Sequence, residues 1–311
     1  MKVIRSAREL LPGGRKVSFA IGYFDGVHLG HQQVIRQTIS DAQQQEGISL
    51  VVTFDRHPAE VVAPERVPAL IYNTEQRVEG IRSVGADALL LLPFDEALSR
   101  LDGETFVRQL IADIGRVHSV CVGSNFVFGF QRSGNVDLLR RLGREMNFSV
   151  HGLEAVSLGD APVSSTRIRE TIRKGELGLA SQLLGRDYTL KGEVVPGDQV
   201  GRKLGFPTAN IAVQGRVVPP NGVYAVHVKI GSQTYRGALN IGFRPTLQQP
   251  SPQLHVEVHL LDFSGDLYHQ SAELSFVSKL RDERRFASLD ELKAQIAADV
   301  QKVRAIFAES R

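Results

Sequence analysis

Two different rhythms of apolar residues run through this chain, and they restrict its fold more than any other feature. In the first ~155 residues, short runs rich in β-branched and aliphatic residues recur at Val17–Ile21, Ile48–Phe54, Ala88–Leu92, Val117–Val122 and Phe148–Val156. They are continuous rather than alternating in polarity, which predicts strands covered on both faces, as in a parallel sheet. Helical stretches separate them. His31–Gln45 carries a stripe of Ile35, Ile39 and Ala42 with Gly47 as a stop, and Asp102 is placed to cap a segment bearing Phe106, Leu110 and Ile114. This order predicts a doubly wound, Rossmann-like α/β domain whose ligands sit beyond the carboxyl ends of the strands.

The second half keeps a different rhythm. After helical segments at Thr166–Arg173 and Glu176–Leu184, closed by Gly185, extended runs follow one another with turns between them. They are Tyr188–Val195, Val223–Ile230, Thr234–Ile241, Leu254–Leu261 and Ala272–Leu280, with turn signals at Gly231-Ser232 and Ser264-Gly265-Asp266. Such a series predicts a small antiparallel barrel. A last helix follows, with a capping box of Ser288 and Glu291 ahead of Leu289, Leu292, Ile296, Val300, Val303 and Phe307. The domain boundary is expected near Gly185–Tyr188, giving domains 1–185 and 186–311.

Charge and cysteine content narrow the function classes. With 37 Lys and Arg against 34 Asp and Glu, the net charge of +3 is too small to announce a nucleic-acid or membrane partner, and neither is expected. Cys121 is the single cysteine, so an intrachain disulfide and a cysteine-based zinc site are both excluded. No apolar run reaches the roughly 18 residues of a membrane span, and the first residues lack a signal-peptide core. A soluble, cytoplasmic-type protein is expected; its oligomeric state is not legible.

Gly22-Tyr23-Phe24-Asp25-Gly26-Val27-His28-Leu29-Gly30-His31 leaves the Val17–Ile21 strand, turns at Asp25-Gly26 and enters a helix. Amides at a helix start carry partial positive charge and suit phosphate oxygens. Two histidines three residues apart, with Gly30 allowing close approach, can face one phosphate and stabilise charge on a phosphorus undergoing substitution. Further on, Ser164-Ser165-Thr166-Arg167-Ile168-Arg169 sets hydroxyls and arginines at another helix start. The first segment resembles the HxGH signature of the nucleotidyltransferase superfamily, and the second resembles that superfamily's SSTxIR phosphate motif.

The barrel half opens with Gly192–Asn210, GEVVPGDQVGRKLGFPTAN, whose glycines and basic residues suit a phosphate-wrapping loop but lack the Walker A ending. Thr208 and Asn210 supply two oxygen donors suited to Mg²⁺. This pattern resembles riboflavin kinase, PTAN tetrapeptide included. Supporting segments stand in that family's order at Pro219–Ala225, Asn240–Thr246, Glu257–Phe263 and Arg281–Phe286. Taken together, the chain resembles the bacterial bifunctional riboflavin kinase/FAD synthetase family from roughly Phe19 to Phe307.

The resemblance implies substrates riboflavin, FMN and ATP, with Mg²⁺ accompanying ATP and flavins as substrates and products. In the barrel half it implies Glu257 as base, Thr208 and Asn210 on the metal, and Gly201, Lys203 and Arg281 in ligand binding. In the α/β half it implies catalysis by His28, His31 and Asn125, and binding by Gly22, Phe24, Asp25, Ser165, Thr166 and Arg169. Phe54 and Phe128, after strand ends, suit stacking on a flavin or plain core packing. Tyr23, Val127 and His269 depart from the common family spelling. A metal shared by His255, Glu257 and His259 is rejected, because alternate residues on a strand place the outer pair ~13 Å apart. An RNA-binding module, a flavin store and a chain with one active half are the competing expectations.

Overall fold

A computed structural model of the chain describes residues 1–197, 200–244 and 253–309. It divides into two compact units, Met1–Ile168 with Leu183–Gly185, and Arg169–Gln182 with Arg186–Arg311.

The first unit is a parallel sheet of six strands: β1 (Lys2–Ile4), β2 (Val17–Ile21), β3 (Ile48–Phe54), β4 (Ala88–Leu92), β5 (Val117–Gly123) and β6 (Ser149–Leu153), in the order β1-β4-β3-β2-β5-β6. Alternate residues of each strand feed two cores. On one face Phe19, Leu50, Leu90 and Val120 pack with α3 (Gly103–Ile114) and α4 (Val136–Met146); on the other Ala20, Val51, Leu89 and Cys121 meet α1 (Leu29–Gln44) and α2 (Thr74–Val84). Both faces are therefore apolar, which is why these strands read as unbroken runs. The order reverses between β2 and β5, so a crevice opens beyond their carboxyl ends.

Several predicted boundaries shift. The expected strand Phe148–Val156 is only Ser149–Leu153. The helix expected from His31 begins at Leu29, because His28 itself is the cap residue. β1, α2 and α4 were not anticipated: β1 is three residues long, and the last two are polar helices. Asp102 does cap α3, accepting from the Thr105 amide at 2.9 Å.

The second unit is a closed six-stranded barrel. Its strands are β7 (Thr189–Val195), β8 (Ala209–Ala212), β9 (Gly222–Ile230), β10 (Gln233–Arg244), β11 (Gln253–Leu260) and β12 (Ser271–Arg281), in the cyclic order β7-β8-β11-β10-β9-β12. Every neighbouring pair is antiparallel. Two further helices, α5 (Ser165–Lys174) and α6 (Leu177–Leu184), precede it, and α7 (Leu289–Glu309) ends the chain. Val300, Val303 and Phe307 of α7 pack on Ala225 and Leu261. Its capping box forms with a shifted partner: Ser288 Oγ accepts from the Glu291 amide, while the Glu291 carboxylate accepts from Ala287 rather than Ser288. Gly192 lies inside β7 opposite Ala272, so it belongs to the sheet ladder and not to a phosphate loop. Asp198, Gln199, Pro245 and Thr246, which the sequence motifs include, lie outside the described residues.

No helix among the described residues is long and apolar enough to cross a membrane. Behind α1, the buried Asp41 carboxylate accepts from Ser119 Oγ at 2.6 Å and the Cys121 thiol at 3.5 Å, and lies 3.2 Å from His151 Nε2. Burial pushes the Cys121 thiol up from 9.0 to about 12. The unfolded chain therefore loses this proton first, so the group's contribution to stability is whole below pH ~9 and erodes as pH climbs toward 12. At pH 8.5 the native protein is expected to resist alkylation by iodoacetamide, while urea-unfolded protein takes up one equivalent; rapid native labelling would contradict the buried placement.

Candidate active sites

The first site stands where β2 hands over to α1. Phe24 adopts left-handed backbone (φ 57°), a 3₁₀ turn covers Asp25–Val27, and His28 takes the N-cap position with extended φ and ψ. Its Nδ1 accepts from the His31 amide at 3.3 Å. The two imidazoles stack at 3.6 Å with 18° between planes, and the Phe24 ring meets His31 edge-on at 5.2 Å. Gly30 permits this arrangement, because a Cβ there would lie 3.3 Å from His28 Cε1. The pair opens on a cavity of about 260 Å³ that Gly22, Phe24, Gly30 and Asn125 also line.

Other predicted residues fall differently. Asp25 is not among the residues lining this cavity; its buried carboxylate accepts from the Ile71 amide at 3.1 Å and from Tyr72 at 3.2 Å. Ser165 Oγ donates to the Asp25 carbonyl at 3.0 Å, and neither it nor Thr166 is among the lining residues. Arg169 falls in the second unit's span of residues. Arg167, the other arginine of that motif, is a local clamp whose Nη1 donates to the carbonyls of Leu158 and Ala161. Phe128 packs on Phe126, Phe106 and Gly134, so the core reading of that ring holds; Phe126, with Tyr23 and Phe24, is at the cavity wall. The Phe54 ring meets Phe94 edge-on.

The second site is set by strand register. Val195, Asn210, Glu257, Asn240, Val223 and Arg281 stand opposite one another in turn, one residue from each barrel strand. Directly opposed residues share a face, so Asn210, Glu257 and Asn240 present their side chains together. Thr208 lies just ahead of β8. Glu257 and Thr208 line a cavity of about 250 Å³ together with Gly201, Asn240, Arg281 and Phe286. Thr208 also lines a neighbouring cavity of about 550 Å³ bounded by Arg202, Phe263, Asp266 and Tyr268. Thr208 is thus common to two chambers.

Lys203 is exposed and borders neither of these chambers. Arg281 borders the smaller one, but its guanidinium grips Asp299 of α7 through Nε at 3.0 Å and Nη2 at 2.7 Å, so its charge is already committed. His255 Nδ1 stands 3.9 Å from Glu257, and His259 Nδ1 contacts the Pro207 carbonyl at 2.8 Å. Asn240 was missed as an individual site residue, and barrel register reveals it.

These features define two nucleotide-handling units, an α/β unit with an HxGH helix start and a barrel unit with a carboxylate in a chamber. A family model described as FAD synthetase matches residues 13–167, and one described as riboflavin kinase matches residues 184–307. A bifunctional riboflavin kinase/FMN adenylyltransferase of Pseudomonas fluorescens is 39% identical over 310 residues, covering 100% of this chain and 99% of that protein. The enzyme of the same description from Escherichia coli K12 is 37% identical, covering 99% and 98%. A crystal structure described as a macrolide-efflux protein from Streptococcus pneumoniae superposes with a TM-score of 0.80 at 28% identity, covering 97% of this chain and 98% of that one. The chain belongs to the bifunctional riboflavin kinase/FMN adenylyltransferase family.

The Arg281–Asp299 pair generates a test of how α7 is attached. Asp299 is 3% exposed and also accepts from Gln295 at 2.7 Å. Asp299→Ala leaves the half-buried guanidinium only its bond to the Asp282 carbonyl, and a loss of about 3 kcal/mol is expected, read as a lower urea midpoint. An unchanged midpoint would mean that the pair does not hold the helix.

Proposed function

We propose a division of labour in which residues 186–311 phosphorylate riboflavin and residues 1–185 adenylylate the FMN so made. The chain converts riboflavin to FMN and FMN to FAD, with ATP as donor in both steps. One observation carries the assignment of chemistry: each unit has its own chamber, one lined by stacked histidines at a helix start and the other by a barrel carboxylate.

In the barrel unit, the riboflavin 5′-hydroxyl oxygen attacks the γ-phosphorus of ATP. Glu257 accepts the hydroxyl proton, the bond from the γ-phosphorus to the β-bridging oxygen breaks, and ADP leaves. The shared wall at Thr208 suits this, with flavin in the smaller chamber and ATP in the larger one beside Arg202 and the Gly201–Lys203 turn. Thr208 and Asn210 fit Mg²⁺ by donor chemistry, since both offer neutral oxygens, and a Cβ on Gly197 would overlap the Asn210 amide group, so the chain is shaped around that side chain. When bound with ATP, the ion would neutralise phosphate charge.

In the α/β unit, an FMN phosphate oxygen attacks the α-phosphorus of ATP and pyrophosphate departs. His28 and His31 donate N–H groups to the non-bridging oxygens, where charge accumulates in the transition state. Gly22 and Phe24 shape the chamber wall, and Asn125 orients the reacting phosphates. Ser165, Thr166 and Arg169 hold the β- and γ-phosphates in this reading. No covalent enzyme intermediate is needed.

Chromatographic analysis of products from riboflavin, ATP and Mg²⁺ over time tests the whole scheme: FMN rises first and FAD follows. FMN without FAD would leave only the barrel unit active; bound flavin without pyrophosphate release would make the chain a carrier. His28→Ala is expected to cut FAD formation ~10²–10³-fold while FMN formation persists, and Glu257→Ala to do the reverse. With riboflavin and FMN supplied in separate assays, loss of both activities from either change, in folded protein, would refute separate sites.

A further inference from the structure

We infer that Arg77 is a positioning residue for adenylyl transfer, holding the backbone that carries His28 and His31; this rests on the assignment of that chemistry to the α/β unit. Arg77 lies in α2 and is 1% exposed, so it cannot reach a substrate itself. Its guanidinium fork spans two carbonyls, Nη1 donating to Tyr23 at 2.8 Å and Nη2 to Phe54 at 2.7 Å. Those carbonyls stand at the ends of β2 and β3, just past the last backbone bond between them, from the Gly22 amide to the Val52 carbonyl at 3.1 Å. Arg77 therefore continues the ladder where the backbone no longer can. Thr53 Oγ1 donates to the same Tyr23 carbonyl at 3.0 Å, and the Tyr23 ring lies 4.2 Å beneath the guanidinium carbon.

Two residues on, Asp25 accepts from the Ile71 and Tyr72 amides, which lie just ahead of α2. The loop is thus tied to one segment at positions 23 and 25. Between the ties sits Phe24 with φ of 57°, a conformation that costs a non-glycine residue energy and persists only where its neighbours dictate it. The Phe24 ring in turn bears on His31. Loosening the tie at Tyr23 lets Phe24 relax and moves the imidazole pair off the phosphorus. A Lys would reach one carbonyl at a time and would preserve only part of the geometry.

Steady-state kinetics of Arg77→Met, Arg77→Lys and Thr53→Val test this in the full-length enzyme. The expected pattern for FAD formation is a kcat lowered ~10–100-fold in R77M, intermediate in R77K and lowered several-fold in T53V. KM for FMN and ATP stays within ~3-fold, and FMN formation from riboflavin is unchanged and reports folding within the same chain. An unaltered kcat in R77M, or a loss carried by KM alone, overturns the inference. If R77M also loses FMN formation, the isosteric T53V decides: unchanged kcat there overturns it, and a kcat-only fall supports it. Wild-type protein that makes no FAD would instead defeat the assignment of chemistry to the α/β unit.

Discussion

A backbone amide or carbonyl that leaves a ladder has to find another partner or face the site it borders, and the first active site is built on that requirement. β2 and β3 stop exchanging backbone bonds at Gly22, yet the chain must turn and start α1 within a few residues. Side chains take over the bonding: Arg77 and Thr53 serve the Tyr23 carbonyl, and His28 serves the His31 amide. Because a histidine rather than Ser or Asp caps the helix, one residue closes an amide and presents an imidazole to the cavity. Capping and cavity lining share a side chain.

The barrel solves a different problem. Its interior is apolar, with Val226, Val228, Leu239, Ile241, Val256 and Val258 all buried, so Glu257, between the last two, falls on the opposite face, where a half-buried carboxylate is costly without polar company. The register supplies that company by setting Asn210 and Asn240 on either side of Glu257. The alternation of each strand keeps valines at 256 and 258 facing the opposite way. A one-residue slip of β11 would exchange the two sets, so packing and chemistry demand the same pairing.

Much of this was legible beforehand, for identifiable reasons. Strands covered on both faces show as unbroken apolar runs, so β2 to β5 were readable, and the long apolar series of α7 was equally plain. β1 was not, since three residues cannot display a period, nor was α4, whose exposed face carries Arg140, Arg141 and Arg144. At the sites, residue spacing pointed to His28 and His31, which the structure stacks beside one cavity, and the family resemblance to Glu257, which lines another. Spacing did not reveal the partners of Asp25 and Arg281, Ile71 and Asp299, which are 46 and 18 residues away, and it gave no hint of Arg77, 54 residues from Tyr23. Long-range partners leave no local pattern. Buried polar side chains are therefore where sequence reading and structure diverge most.

The barrel seam has a consequence for how this unit comes into being. β7 pairs with β12, so Thr189 meets Ser275, and the row through Glu257 ends on Arg281 of the same final strand. A polypeptide emerging residue by residue holds Asn210, Glu257 and Asn240 long before the seam can shut. Closing it brings together segments separated by most of the unit, a non-local step that comes late and slowly. The chamber around the carboxylate waits longer still, because part of its wall is Phe286 and, on α7, Leu292 and Ile296, which follow the last strand.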